Sequence, residues 1–423
     1  MNNNNDTTYD VVVIGGGIQG AGVAQAAQAA GYSTLILEKT DWAAGTSSKS
    51  SKLIHGGLRY LQGGELSLVQ EGLQERALLL KNAPELVHSN WFYLPVYKHS
   101  NYHSWQIHSG LTLYWMLSGF HEESKFEVVP ESQWSELAGL EAKDLQKVYR
   151  YHDAQTDDAK LTAAVIQSAV SLGAETCCPA EFINAEQTED GYRVCYKTSS
   201  QKTSTDKNSA DKTCIDKNSS DKNNTQTEDE NSVSCRFLVN AGGPWVNHVV
   251  SAISPPPRSI EVDLVQGAHL ILDKKISDQC FYLESPTDKR AIFVLPWYDK
   301  TLLGTTETLF EGNPEDASPT EQERQYLLEV LASHFPEYDG NVCGEMAGLR
   351  VLPSGRQKHY HRSREVRLIT DQPRRPHYLG IYGGKLTGYR ATAEKVVKEI
   401  GETLGVPENW VDTKTLPLTL PTV

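Results

Sequence analysis

The segment GTSSKSSKLIHGGLRYL, Gly45 to Leu61, concentrates chemistry-bearing residues: five hydroxyl side chains with the glycines Gly45, Gly56 and Gly57, the imidazole of His55, the guanidinium of Arg59 and the phenol of Tyr60. It follows a second pattern, in which Gly15, Gly17, Gly20 and Ala24 complete GxGxxGxxxA behind the apolar run Asp10 to Ile14. Glycines at that spacing permit a tight turn and close backbone approach, and the helix they open can hold a pyrophosphate at its N-terminus. Glu38 ends the next apolar run, Ser33 to Leu37. An acidic residue about 20 positions beyond the fingerprint accepts the ribose hydroxyls. Strand, turn, helix, strand and acid are in register, which predicts a dinucleotide site. The fingerprint alone admits NAD or FAD. Gly45 to Lys52, with Thr46, Ser47 and Ser48, offers the N–H groups and hydroxyls to wrap a diphosphate and ribitol chain, and points to the flavin.

With these residues in view, the chain resembles the FAD-dependent glycerol-3-phosphate dehydrogenases of the D-amino-acid oxidase superfamily. The resemblance continues through YHDAQTDDAKL (Tyr151 to Leu161), VNAGGPWV (Val239 to Val246), QGAHLIL (Gln266 to Leu272), PWYDKTLLGTTE (Pro296 to Glu307), AGLRVLPSG (Ala347 to Gly355) and YGGKLTGYR (Tyr382 to Arg390). It implies an α/β fold: a Rossmann-like FAD-binding domain of the glutathione-reductase type, with a second α+β substrate domain built on an antiparallel sheet. It implies His55, Gly57 and Leu58 along the isoalloxazine, and Gly383, Gly384, Lys385, Leu386 and Thr387 at its pyrimidine edge. Ala241 and Gly242 join the cofactor contacts. Arg59, Arg350 and Arg364, with Tyr60, are implied for the substrate phosphate. His269, His55, Arg350 and Lys385 are the catalytic candidates, and His269 precedes His55 as proton acceptor because an imidazole titrates near neutrality.

The resemblance implies oxidation of sn-glycerol 3-phosphate to dihydroxyacetone phosphate by hydride transfer to FAD N5, with electrons passed to a quinone or similar acceptor. Two readings remain beside it: an oxidase or dehydrogenase of another 2-hydroxy acid or amino acid, and a catalytically degenerate flavin-binding subunit. A carboxylate needs fewer cations than a phosphate, so the number of Arg and Lys side chains above the flavin separates the first two. The chain departs from the family at Gln266, where many members carry lysine, which removes one expected cation. It also ends at Val423, where longer members continue into a C-terminal helical domain.

The elements that must position these residues are read from periodicity and breakers. Glu65 to Asn82 is patterned as a helix ended by Pro84, Thr156 or Asp157 caps a helix to about Leu172, Thr320 to Phe335 is helical, and Leu386 to Ile400 forms the last long helix. That last helix would start directly after Gly383-Gly384 and aim its positive end at the flavin. Trp105 to Phe120 is a short apolar helix, read as buried in the substrate domain, with a peripheral membrane or partner contact as the alternative. Glu181 to Thr198 contains strands around a Glu189-Asp190-Gly191 turn. From Ser199 to Ser234 lysines recur every five residues among Ser, Asn, Thr and Asp, a period that fits neither helix nor strand. This 199–234 stretch is predicted to be a disordered low-complexity insertion lengthening a hairpin. The resemblance implies that the FAD-binding domain returns after interruptions, which places it at 6–90, 150–257 and 345–423, and the substrate domain at 91–149 and 258–344.

Composition constrains the rest. A length of 423 residues with 39% hydrophobic content supports two domains, and a formal charge of −14 argues against a nucleic-acid partner. Seven cysteines without CxxC, and scattered histidines, predict reduced thiols and no metal. No run reaches the roughly 20 apolar residues of a membrane span. The expected location is cytoplasmic, peripheral on the inner face of the cytoplasmic membrane in the family's manner.

Overall fold

The computed structural model describes residues 7–199, 228–355, 362, 364–408 and 410–421. Two sheets organise them. In the first, Thr8–Ile14 lies between Thr34–Leu37 and the second half of Glu228–Asn240, all parallel, and the parallel array is extended by Glu175–Cys177 on one side and Tyr378–Tyr382 on the other. Side chains alternate across Thr8–Ile14: Val11 and Val13 enter one core with Ile36, Val239 and Ile381, while Val12 and Ile14 enter another with Leu35, Leu37 and Leu238. Burial on both faces is what an uninterrupted apolar strand in a parallel sheet requires. The helices Ile18–Ala29, Asp158–Ser171 and Tyr389–Leu404 cover the first face, and the hairpin of Ala180–Gln187 and Tyr192–Ser199 the second.

Asp157 caps its helix by accepting from the Lys160 N–H, and Thr320 forms a capping box with Glu323 at the start of Glu321–His334. The hairpin of the low-complexity region is longer than expected. Residues 228–234, predicted to lie in the insertion, are strand: Glu228–Cys235 pairs antiparallel with Tyr192–Ser199, and Val233 is buried. The expected stretch extends too far because residues 228–232 are Glu, Asp, Glu, Asn and Ser in succession, so no apolar alternation marks the strand before Val233. Positions 200–227 of the insertion lie outside the described residues.

The second sheet contains Val262–Leu272 paired with Val342–Pro353, Lys300–Gly304 and Thr308–Phe310, then Ala291–Trp297, Cys280–Glu284, Val87–Tyr97, Leu145–Thr156 and Leu53–Ile54. It is antiparallel except where Cys280 and Phe281 run parallel to Phe92 and Tyr93. The helix Glu321–His334 packs one face through Leu327, Val330 and Leu331. Leu66–Asn82 and Ser104–Leu117 pack the other through Val69, Leu73, Leu111 and Tyr114. The strands 87–97, 145–156 and 342–353 each run across an expected domain boundary and belong wholly to this sheet. The aromatic helix is not the buried element expected. Only Leu111 and Tyr114 of Ser104–Leu117 are buried, and Trp105, Met116 and the following Phe120 are exposed.

Between the sheets, Leu66–Asn82 acts through two adjacent charges. Glu75 receives both ends of the Arg390 guanidinium at 2.9 and 2.6 Å, while Arg76 reaches Asp153 at 2.5 Å. All four side chains are almost fully buried. Such pairs cost desolvation and hold only while both partners remain, so they fix the register between the layers more than they add stability.

Candidate active site

A cleft of about 900 Å³ runs from the mouth of the first sheet to the face of the second. At its nucleotide end, Gly15 has φ +106°, and a Cβ there would sit 2.6 Å from the Ala241 carbonyl oxygen. Gly20 lies inside the helix rather than on the cleft wall. A Cβ on it would fall 1.8 Å from the Gly15 oxygen, so its hydrogen is what lets the turn close on the helix. Glu38 accepts from Gly16 N at 2.7 Å and Thr40 N at 3.0 Å, which fixes its carboxylate at the end of Thr34–Leu37. Gly242 N donates to the Asn240 side chain at 3.0 Å, shaping the wall beside Ala241.

The serine-rich segment is an ordered turn. Ser47 Oγ accepts from Ile18 N at 2.9 Å at the helix N-terminus, Thr46 Oγ1 donates to Leu349 O at 2.7 Å, and Ser48 turns its hydroxyl back to Gly45 O. Behind it, buried Asp158 takes Lys52 Nζ at 2.5 Å and both the N–H and hydroxyl of Ser50. Burial pushes the Asp158 carboxyl up, against the opposing pull of Lys52.

At the other end, the chain at His55 is held from both sides. Its N–H donates to Thr387 Oγ1 at 3.1 Å, and the next N–H, of Gly56, donates to Tyr114 OH at 2.9 Å. Tyr114 in turn donates to Asp153 at 3.0 Å. Gly383 and Gly384 have φ +81° and +99°, and Gln19 Nε2 donates to Lys385 O at 3.1 Å. The last helix begins at Tyr389, not at Leu386, so Lys385, Leu386 and Thr387 lie in a loop ahead of it. The expected helix-dipole contribution is correspondingly weaker, because it falls off within the first turn. What the loop presents at the cleft is the Gly383-Gly384 turn, the Lys385 side chain and Thr387.

Three arginines converge on one carboxylate. Arg59 and Arg350 lie 3.7 and 3.9 Å from Glu307 Oε1, and Arg364 is in contact with the same oxygen. Glu307 is only 6% exposed. Gly267 makes room for this: a Cβ there would lie 2.8 Å from both Nη1 and Nη2 of Arg350. The Arg350 guanidinium is further held by Thr306 O and Thr305 Oγ1, each at 3.3 Å. Lys385 Nζ stands 3.9 Å over the Tyr60 ring and Arg59 5.7 Å from it. Burial and the neighbouring Arg59 charge push Arg350 and Arg364 down to about 10, still protonated at neutral pH. Burial raises the Tyr60 phenol, but the surrounding cations, Lys385 foremost, outweigh it and leave its pKa below the ordinary value. Burial lowers that of Lys385.

His269 lies on the same strand as Gly267, two residues on, with Nε2 2.9 Å from Ser51 Oγ. Burial, then Arg350 and Lys52, push its pKa down to about 3; burial, then Lys385, Arg59, Arg76 and Arg364, do the same to His55. Both rings are therefore neutral across the ordinary pH range and, in the empty cleft, weak bases, so the expectation of an imidazole titrating near neutrality does not hold for either.

The structure therefore brings together Gly15, Gly17, Glu38, Thr46, Ser47, His55, Tyr60, Ala241, Gly242, His269, Arg350, Arg364 and Gly383 to Thr387 on one cleft wall. Ser48, Gly57, Leu58 and Arg59 are not on that wall. Leu58 packs on the apolar cluster of Leu53, Leu73 and Phe92, Gly57 lies under the Tyr60 ring, and Arg59 reaches the site through Glu307. Gln266 is corrected as well. Its side chain bonds Glu323 and Ser318 O, on the strand face opposite Gly267 and His269, so a lysine there would not have joined the arginines. Glu307, Ser51, Thr305 and the Lys52–Asp158 pair were not singled out from sequence. All of them lie within quoted motifs, Ser51 and Lys52 in Gly45–Leu61, Asp158 in Tyr151–Leu161, Thr305 and Glu307 in Pro296–Glu307, but nothing in those motifs marked them individually. Among the described residues no group of His, Cys, Asp and Glu forms a metal site, and no helix is long and apolar enough to cross a membrane.

The glycine cradle at Gly15 and Gly20, the helix N-terminus at Ile18, fixed Glu38 and the length of the cleft suit an extended dinucleotide, and the Gly383-Gly384 turn beside His55 suits a flat ring system at its far end. That arrangement defines a flavoprotein oxidoreductase. Residues 10–396 match the model of the family described as FAD dependent oxidoreductase, and the chain belongs to that family. Among its relatives, glycerol-3-phosphate dehydrogenase of Pseudomonas aeruginosa is 32% identical over 405 residues, covering 93% of this chain and 71% of that protein. D-erythritol 1-phosphate dehydrogenase of Brucella abortus is 33% identical over 392 residues, covering 92% and 72%. The crystal structure of glycerol-3-phosphate dehydrogenase from Bacillus halodurans, complexed with FAD, superposes with a TM-score of 0.72 at 27% identity, covering 97% of this chain and 68% of that one.

Proposed function

We propose that this protein oxidises sn-glycerol 3-phosphate to dihydroxyacetone phosphate and passes the electrons to a quinone. The observation that carries the substrate reading is the convergence of Arg59, Arg350, Arg364 and Lys385 beside His269 and the Gly383-Gly384 turn. Four cations exceed what a single carboxylate needs and suit a phosphate dianion, which weighs against a hydroxy-acid or amino-acid substrate. Both curated relatives named above act, by name, on phosphorylated polyols.

When bound, FAD supplies the acceptor for the hydride that leaves the carbinol carbon. The chain's own residues supply the rest. Gly15, Gly17, Glu38, Thr46, Ser47, Ala241 and Gly242 would hold the dinucleotide, with Gly20 and Ser48 shaping the turns behind them, and His55 and Gly383 to Thr387 would frame its reactive ring, with Gly57 and Leu58 supporting the chain beside His55. The arginines and Tyr60 grip the phosphate and so fix the secondary hydroxyl near His269. Its neutral imidazole takes the hydroxyl proton as the carbonyl forms, with Ser51 orienting the ring. A phosphate dianion against Arg350 offsets one of the charges that depress His269, so substrate binding strengthens its own base. Lys385 balances negative charge accumulating at the pyrimidine edge.

In this reading the first sheet with its helices forms the FAD-binding domain and the second the substrate domain. The enzyme works at the inner face of the cytoplasmic membrane, and the exposed Trp105, Met116 and Phe120 support a peripheral contact there. The test is anaerobic mixing of the FAD-loaded protein with glycerol 3-phosphate. Loss of the flavin's visible absorbance, with glycerol far less effective, is expected. Bleaching by 2-hydroxy acids or amino acids instead, or by nothing, would overturn the reading.

A further inference from the structure

Among the described residues Glu307 stands apart from the buried carboxylates Asp153, Asp158 and Glu323, and from Glu75, which takes two regular hydrogen bonds from a single guanidinium, that of Arg390. Asp158 and Asp153 each accept from a hydroxyl as well as from a cation, Ser50 with Lys52 and Tyr114 with Arg76, and Glu323 takes Thr306, Thr308, Gln266 and the Thr320 N–H. Glu307 Oε1 and Oε2 are buried and accept no such bond. Its surroundings are guanidinium groups, those of Arg59, Arg350 and Arg364. The placement is enforced. Thr306 and Thr308, on either side of it, are tied by their hydroxyls to Glu323, and alternation along the extended chain turns Glu307 the opposite way, into the arginines. Burial, and after it repulsion from Arg59, pushes Arg350 and Arg364 down to about 10. A single fixed carboxylate offsets that repulsion.

We propose that Glu307 is a resident counter-anion: it keeps the three arginines converged when no substrate is bound and cedes them to the substrate phosphate, so that its charge loosens anion binding. The inference rests on the phosphorylated-substrate reading above and deepens it. A phosphate that enters must share donors with Glu307 and is repelled by it in a poorly screened site. The gain is a site already formed yet not blocked by free inorganic phosphate or by the phosphorylated product, which must leave for the next turnover.

The experiment is calorimetric titration of inorganic phosphate into the FAD-loaded wild type, Glu307→Asp and Glu307→Gln, with flavin content and melting temperature as controls. The dissociation constant should fall from wild type to Asp, which withdraws the charge by one methylene, and again to Gln, to about tenfold below wild type or lower. In parallel the Gln variant should show a lower KM for glycerol 3-phosphate together with a lower kcat, as release of product slows. A buried carboxylate with a merely structural role would weaken phosphate binding when replaced. Unchanged or weaker binding in a folded Gln variant overturns the proposal, and if that variant does not fold, unchanged or weaker binding by Asp overturns it. If phosphate binds wild type but the order is not seen, the counter-anion role fails alone. If phosphate binds none of the three, the phosphorylated-substrate reading fails with it.

Discussion

Gly267→Ala alters no charge and removes no donor, yet it should behave as a weakened form of Arg350→Ala. A methyl at position 267 would stand 2.8 Å from both Nη1 and Nη2 of Arg350 and 2.6 Å from Thr305 Oγ1, which itself partners that guanidinium. The backbone cannot give, because Gly267 is locked opposite Gly348 in the ladder, so the side chains must. The guanidinium has to retreat by roughly 0.6 Å to reach ordinary contact near 3.4 Å. Removing the arginine altogether should cost on the order of 2 to 4 kcal/mol of transition-state binding, since it is a partly desolvated charge-assisted contact. That is roughly 30-fold to 1000-fold in kcat/KM. A displacement of well under an ångström in a positioning group reaches about 10-fold to 100-fold. Stability should change by less than about 1 kcal/mol, because the atoms displaced are the ends of flexible chains and alanine suits a strand better than glycine. The assay is steady-state turnover of glycerol 3-phosphate with an artificial acceptor, on wild type, each single variant and the double variant, with flavin content measured throughout. Slow turnover of unphosphorylated glycerol should be nearly untouched in all of them. The decisive quantity is the coupling: the double variant should be no worse than Arg350→Ala alone. An unaltered KM in Gly267→Ala, or additive losses in the double variant, would refute the argument that this glycine exists to seat Arg350.

Three further outcomes are expected. Gly20→Ala should yield folded protein that retains little FAD, because the new Cβ would press on the Gly15 oxygen at 1.8 Å and open the phosphate turn; visible absorbance after gel filtration checks it. Deleting residues 203–225 should leave flavin content and turnover within about twofold, since Ser199 and Glu228 face each other at the end of the hairpin and loop-closure entropy varies slowly with length; loss of bound flavin would show otherwise. His269, pushed down to about 3 in the fold against about 6.5 unfolded, makes the unfolded chain bind the extra proton between those values, so stability falls as pH drops below about 6.5. Between pH 7.5 and 5 this amounts to roughly 2 kcal/mol for one imidazole, and denaturant melts should show a shallower acid slope in His269→Asn than in wild type.

What could be read from the sequence was local. Gly15, Gly17, Gly20 and Glu38 belong to one strand–helix–strand unit, so spacing alone put them in register, while Arg350, Arg364 and Lys385, which also line the cleft, were indicated only by the family resemblance. The partners that hold those residues are remote in the chain and left no pattern. Thr387 lies 332 residues from His55, and Ser51 lies 218 from His269. The misplaced start of the last helix has a simple cause: Leu386 fits the apolar stripe, but the left-handed glycines 383 and 384 and the contacts of the following loop hold the chain out of the helix until Tyr389. The aromatic helix was read as buried because composition does not say which side of a helix finds a partner. Position 266 was judged from its neighbours in the motif, whereas strand alternation turned it away from the site.

The long return of the chain to its first sheet also governs how the molecule is made. Thr8–Ile14 emerges early, but its neighbour Glu228–Asn240 follows only after more than 200 residues, and Tyr378–Tyr382 later still. At about 5 to 20 residues per second, the ribosome leaves the Val11-Val12-Val13 edge without that partner for on the order of ten seconds or more. An apolar strand with an open edge is a template for pairing with other chains. Of the residues that line the cleft, Gly383 to Thr387 are synthesised last, so the first sheet can gain its Glu228–Asn240 partner well before the ring end of the cleft exists.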